Sequence, residues 1–139
     1  METNDLPRHQ LIKSLMAQPT DKVVDAAIRA WERMATQIIS IVGEDGFNSL
    51  YARSIFLSQS IFPWLAASPL PPESEHRFAG LKTNLEGQTP AKAIEANTLL
   101  LITFTDILAS LIGEPLTTRL LCLAWNIDIS NQNRHGAQK

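Results

Sequence analysis

The stretch from Thr89 to Pro115 reads TPAKAIEANTLLLITFTDILASLIGEP, and its punctuation dictates a helix. Thr89 offers a side-chain oxygen to unpaired backbone N–H groups, and Pro90 follows where its own missing N–H costs nothing. No proline or glycine then interrupts the run until Gly113, a residue suited to the positive φ that closes a helix end. The spacing predicts a helix over Pro90 to Ile112. Its apolar part, Leu99 to Ile112, contains Thr103, Thr105 and Asp106 and falls short of the roughly 20 residues that a bilayer span needs. It therefore reads as a buried core helix.

The same punctuation stands seventy positions earlier. Under that offset, without a gap, Leu11 falls on Leu81, Leu15 on Leu85, Gln18 on Gln88, Lys22 on Lys92 and Ala26 on Ala96. Ser40 falls on Ser110, Gly43 on Gly113, Glu44 on Glu114 and Leu50 on Leu120, while Val24 with Ile94, Asp25 with Glu95, Ile38 with Leu108 and Val42 with Ile112 are conservative pairs. A fixed period of this kind marks a structural repeat. Residues that the two copies share read as scaffold, and residues that differ are the better candidates for a specific role.

Working outward, the chain reads as six helices and no strand. The first starts at Asp5-Leu6-Pro7 and carries Leu11, Ile12, Leu15 and Met16 at helical spacing up to Pro19. Thr20 is the expected cap of the second, whose apolar face is Val24, Ile28, Trp31, Ala35, Ile38 and Val42 and whose stop is Gly43. A third, from about Asn48 to Phe62, is expected to bury Leu50, Tyr51, Leu57 and Ile61, with Phe47 beside them. Pro63 to Glu73 holds four of the eight prolines and reads as a linker. The fourth helix, about Pro72 to Glu86, buries Phe78, Leu81 and Leu85; the fifth is Pro90 to Ile112; the sixth runs from Pro115 to Trp125.

The expectation is an all-α fold: two pseudo-repeated three-helix units packed into one bundle around a buried fifth helix. Residues 1–125 form one domain, with repeat one at about 5–62, the linker at about 63–73 and repeat two at about 74–125. Residues 126–139 have few apolar anchors and read as a flexible tail.

Composition narrows the function classes. With 139 residues, 45% of them hydrophobic and 19% charged, the chain can bury a core without staples. A net charge of -2 gives no general attraction to nucleic acid or anionic lipid. The single Cys122, in the apolar run Leu120 to Trp125, reads as a small core residue, and the N-terminus lacks a basic start followed by an apolar run. These features point to the cytoplasm, with no membrane and no nucleic-acid partner.

Sites of chemistry are scarce. There is no phosphate-cradling glycine loop, no Cys-x-x-Cys, no His-Glu-x-x-His and no nucleophile elbow. Glu73 and His76 share metal-compatible spacing, but a single such pair reads as a solvated helix start. His9-Gln-Leu-Ile-Lys13 departs from the phosphorylatable-histidine pattern of phosphotransfer bundles: its lysine comes one place late, and no small residue follows at the expected position. Glu44 and Glu114, shared by both copies just after the stop glycines, read as scaffold carboxylates that satisfy helix N-termini. No enzyme, metal or cofactor is expected.

The differences between copies carry the functional reading. Arg29, Glu32, Arg33 and Thr36 on the second helix align with Leu99, Ile102, Thr103 and Asp106 on the fifth, so a charged stripe has become apolar. Asp106 on that stripe is expected to be buried and either to hydrogen-bond a neighbouring helix terminus or to pair with an arginine such as Arg53 or Arg119. Tyr51, Arg53, Trp64 and Asp106 are the candidate ligand or partner contacts. Trp64 lies in Phe62-Pro63-Trp64-Leu65, an anchor either tucked over the core or facing a partner. The chain reads as an adaptor-like module that binds another protein or a second copy of itself as a homodimer. Its architecture is similar to the small helical proteins that accompany bacterial signalling systems. The alternative is a small-molecule sensor with a pocket between the halves near Asp106.

Overall fold

A computed structural model describes residues 7–17, 22–65 and 78–125. Among the described residues the chain is all-helical, with five helices in the order α1 (Pro7–Ala17), α2 (Val23–Ser58), α3 (Ala79–Glu86), α4 (Pro90–Ile112) and α5 (Glu114–Trp125). The expected cap Thr20, most of the Pro63 to Glu73 linker, the Glu73 and His76 pair and the C-terminal tail lie outside the described residues.

Local chemistry sets the helix ends. Thr89 takes an extended conformation (φ -65°, ψ 157°), and its Oγ1 accepts a hydrogen bond from the Lys92 N–H, with Pro90 in the first turn as expected. Gly113 ends α4 with φ 99° and ψ 148°, a region essentially restricted to glycine. Gly43 has φ 83° and ψ 166°, the same kind of conformation. The 36-residue run Val23–Ser58 is therefore two helical limbs that meet at a kink at Gly43, taken together as α2. Two separate helices are expected from the sequence there; the missing connecting segment makes the count five. Past α2, Gln59 donates its side-chain amide to the Leu65 carbonyl, which ties the Phe62 to Leu65 segment back to the helix end.

The core forms where α2 and α4 meet. Ala27, Ala30, Trp31, Met34, Ala35 and Ile38 of α2 are buried, as are Ala96, Asn97, Leu100, Leu101, Phe104 and Leu108 of α4. Beyond the break, Phe47, Leu50, Tyr51 and Ile55 continue the buried stripe, but Leu57 and Ile61, expected inside, point outward. Leu57 sits at the flank of the stripe rather than on it, and Ile61 lies past the end of α2 at Ser58, where the helical period no longer directs it. Around Trp31 the rings of Tyr51, Phe78 and Phe104 lie 5.3 to 5.6 Å away, the Tyr51 and Phe104 pairs edge to face. The Trp31 indole N–H donates to Asn97 Oδ1 at 2.7 Å, and the Trp125 N–H donates to the Ala30 carbonyl at 3.0 Å, so both buried tryptophans have their polar atom satisfied.

The remaining helices pack around this pair. α3 packs on α2, α1 packs on α4, and α5 packs on both α2 and α4. α4 is long and apolar enough to cross a membrane by composition, yet α1, α2 and α5 all pack against it. The expectation that α4 alone is central and covered on every side is corrected by its surface: Leu99, Ile102 and Thr103 are half-buried, and Asp106 and Leu111 are exposed. α2 and α4 share the centre because each contributes one full apolar stripe to the other. Cys122 is half-buried rather than a core residue.

Candidate functional site

α1 has three buried residues with described surroundings, Arg8, Ile12 and Met16, spaced four apart and so on one helical face. A guanidinium at 2% exposure is unusual, since an isolated buried charge is strongly unfavourable. Its partners explain it. Arg8 Nε donates to Glu114 Oε2 at 2.7 Å and Nη2 to Glu114 Oε1 at 2.9 Å, a two-pronged fork that only a planar guanidinium can make. Its third nitrogen, Nη1, donates to Asp106 Oδ1 at 2.6 Å and to Thr105 Oγ1 at 2.9 Å. His9 Nε2 lies 2.8 Å from the same Asp106 oxygen, and Thr118 is 3.4 Å from Glu114 Oε2.

Each element contributes something local. Pro7 opens α1, which brings Arg8 and His9 together in its first turn. Thr105 and Asp106 are neighbours on α4, and the Gly113 corner turns the chain so that Glu114, the first residue of α5, faces the same point. The carboxylates keep a wet side: their side chains are 48% exposed at Asp106 and 40% at Glu114. Burial opposes the charge of Arg8, but its hydrogen bonds to Glu114 and Asp106 override it and hold the guanidinium above its ordinary pKa. The Arg8 fork in turn holds the Glu114 carboxyl below the usual carboxylate range, against the smaller effect of its desolvation.

Below Arg8 the contact turns apolar. Met16 Sδ accepts a hydrogen bond from the Asn97 side-chain amide at 2.9 Å, and Asn97 is the same residue that satisfies Trp31. α1 is thus read by a carboxylate corner at one end and by Asn97 at the other.

The four residues singled out from the sequence are not brought together. Tyr51 is buried in the aromatic cluster, where burial pushes its phenol well above its ordinary pKa. Arg53 is exposed on α2. Trp64 is half-buried and packs on the core, its ring 5.7 Å from Phe62. Asp106, expected to be buried and bonded to a helix terminus or to an arginine such as Arg53 or Arg119, is half-exposed and paired with Arg8 and His9. The reason is that α1 approaches the polar flank of α4 from outside, so Asp106 meets its partners at the rim. Glu114, expected to serve a helix N-terminus, spends both oxygens on Arg8.

Sequence reasoning passed over Arg8. One signal was available: under the seventy-residue offset Arg8 falls on Phe78, a cation against an aromatic ring. Among the described residues no group of three His, Cys, Asp or Glu side chains is placed to hold a metal ion. A separate open cleft of about 300 Å³ lies between Lys22 to Asp25 at the start of α2 and Glu86, Gln88, Pro90 and Ala93. Comparison with known proteins finds no matching family model, no matching curated protein and no matching solved structure.

Proposed function

We propose that the chain is a non-enzymatic helical interaction or regulatory module built from two copies of a three-helix unit. Burial in register supports the duplication. Ala27, Ala30, Trp31, Met34, Ala35 and Ile38 are buried, and so are their offset partners Asn97, Leu100, Leu101, Phe104, Thr105 and Leu108. Gly43 and Gly113 share a positive φ at aligned positions, which makes the two limbs of α2 the counterparts of α4 and α5. The polar cluster around Arg8 is consumed by mutual hydrogen bonds, which suits a holding role better than a reacting one.

The observation that carries the interaction reading is the outer surface. Phe56 and Ile61 near the end of α2, Leu111 on α4 and Leu123 on α5 are large apolar side chains left mostly in solvent. A cytoplasmic setting and a place in bacterial signalling belong to the same proposal. The test is recovery of binding partners by the full chain from its native cell, compared with a Phe56→Ser/Ile61→Ser variant. A partner held by the wild type and lost by the variant supports the reading; equal recovery of every partner sinks it.

A small-molecule sensor is the second reading. It draws on the open cleft beside Lys22 and Gln88 in place of Asp106, whose Oδ1 is already engaged by Arg8 and His9. Native mass spectrometry of the purified chain separates the two, since a retained small molecule of constant mass favours the sensor.

A further inference from the structure

We propose that α1 is a displaceable arm, and that its seat on α4 and α5 is a docking site for a partner helix carrying an arginine followed by apolar residues four and eight positions on. This rests on the interaction-module reading and names the surface and the chemistry of the partner.

The seat's preference is written in the segment that fills it. Arg8, Ile12 and Met16 stand at positions i, i+4 and i+8 of one face. The corner formed by Thr105, Asp106 and Glu114 provides two carboxylates and a hydroxyl around one guanidinium, and the fork at Glu114 matches arginine better than lysine. One turn and two turns further on, the seat accepts apolar side chains, with the Asn97 amide meeting the sulfur of Met16. A helix without the arginine would leave two carboxylates facing each other with no cation between them.

The arm is held in a way that permits exchange. A buried ion pair adds little net holding, because desolvation offsets most of its attraction. α3, by contrast, is pinned through Phe78, Leu81 and Leu85, with no charge among its buried residues. The geometry at the rim also admits a competitor. Arg8 is enclosed, but the carboxylates that hold it are 40% and 48% exposed, so an incoming guanidinium can engage their solvent-facing sides before Arg8 leaves. Two carboxylates against one guanidinium attract a basic helix, which suits charge-steered encounter.

The probe is a fluorescent peptide of residues 1–21, added to the full chain and followed by anisotropy. In an Arg8→Glu chain the new carboxylate opposes Asp106 and Glu114 and evicts the arm, while every residue of the seat is unchanged. Ile12→Asp evicts it through the apolar contact. Both variant chains are expected to bind the probe at least about tenfold more tightly than the wild type, the shift expected when a competing arm is removed. The same probe carrying Arg8→Glu is expected to bind none of the chains.

Hydrogen exchange on each chain reads the state of the rest of the molecule. Retained protection in α2 to α4 with rapid exchange in α1 is expected in both variants. Loss of protection throughout in both would show that α1 belongs to the cooperative core, and would overturn the proposal. So would equal probe affinity for wild-type and evicted chains, or no binding to an evicted chain that keeps α2 to α4 protected. A wild-type dimer that the probe dissociates would identify a second copy's α1 as the occupant and overturn the choice of a foreign helix. The outcome is separable from the partner test at Phe56 and Ile61, because probe binding does not involve those residues.

Discussion

α1 and α3 are short helices at aligned positions of the chain, and they are fastened by opposite means. α1 seats on α4 through Arg8, a fork onto Glu114 and a bond to Asp106, followed by Ile12 and Met16. α3 seats on α2 beside Phe78, whose ring contacts Trp31, Phe47 and Tyr51, followed by Leu81 and Leu85. Apolar packing gains free energy with every contact and has little directional preference. An ion fork gains little net free energy but tolerates few substitutes. Both helices bury apolar side chains in one core, Ile12 and Met16 on α1 and Leu81 and Leu85 on α3, so the difference lies in the charged fork that α1 adds, and the proposed arm rests on that difference.

The largest effect should come from the aromatic side. Phe78→Ala removes a ring that three other buried rings contact, and should cost about 3–5 kcal/mol in denaturant unfolding of the whole chain. A loss below about 1 kcal/mol would break the comparison, because α3 would then be no better fastened than α1. Asn97→Leu comes next. It strands the buried Trp31 indole N–H and removes the amide that meets Met16, so about 1–3 kcal/mol is expected. The loss should register as a lower unfolding midpoint with an unchanged denaturant slope.

The two corner glycines test whether the halves are built alike. Gly43→Ala and Gly113→Ala should each cost about 1–3 kcal/mol, because both backbones occupy a region that side chains disfavour. A Cβ at Gly43 meets nothing within 4 Å, and one at Gly113 meets only Pro115 Cδ at 3.9 Å, so the cost is conformational at both. Thermal unfolding of the two variants should therefore shift by similar amounts, and a shift at one glycine alone would argue against a shared design. Arg8→Met leaves Asp106 and Glu114 facing each other with no cation between them, a cost softened by their partial exposure, so a loss of about 1–3 kcal/mol is expected. A loss as large as that of Phe78→Ala would show that the fork is a core fastening after all.

These contrasts also show where the sequence was readable. Thr89, Pro90 and Gly113 act on the backbone within a few residues of themselves, so the bounds of α4 could be read without tertiary information. Gly43 is legible in the sequence as a helix stop, and the chain kinks there; that the next limb starts with no longer connection is not legible, because it depends on how Glu44 onward packs. The apolar stripe of α4 correctly implied a core helix, though not that α2 is its equal partner. The Arg8 cluster was out of reach of local reasoning for a plainer reason. Its bonds span 97 to 106 positions, and an arginine in the first turn of an exposed-looking helix carries no local sign of burial. Asp106 is conspicuous in the sequence as a carboxylate on an apolar stripe, and its partner is an arginine as expected, but Arg8 rather than Arg53 or Arg119. Choosing among arginines requires knowing which helix lies across that flank.

Acid should separate the two attachments by the smallest but most specific effect. The Arg8 fork holds Glu114 below the usual carboxylate range in the folded chain, whereas in the unfolded chain it titrates at its ordinary value. A depressed folded pKa contributes stability that is present above the unfolded value and is lost as pH falls through the folded one. Lowering the pH through and below the ordinary carboxylate range should therefore loosen α1 more than α3, whose ion pair to α2, Lys82 with Asp25 at 3.8 Å, is exposed on both sides and contributes little. Because Glu114 is partly exposed, solvent screening keeps the effect modest. Native-state hydrogen exchange between neutral pH and a pH below the ordinary carboxylate range, corrected for the intrinsic pH dependence of exchange, should show protection in Pro7–Ala17 falling further than in Ala79–Glu86. In Arg8→Met the acid dependence in α1 should disappear. Its persistence there would place the titrating contact elsewhere on α1, with His9 and its bond to Asp106 the next group to replace.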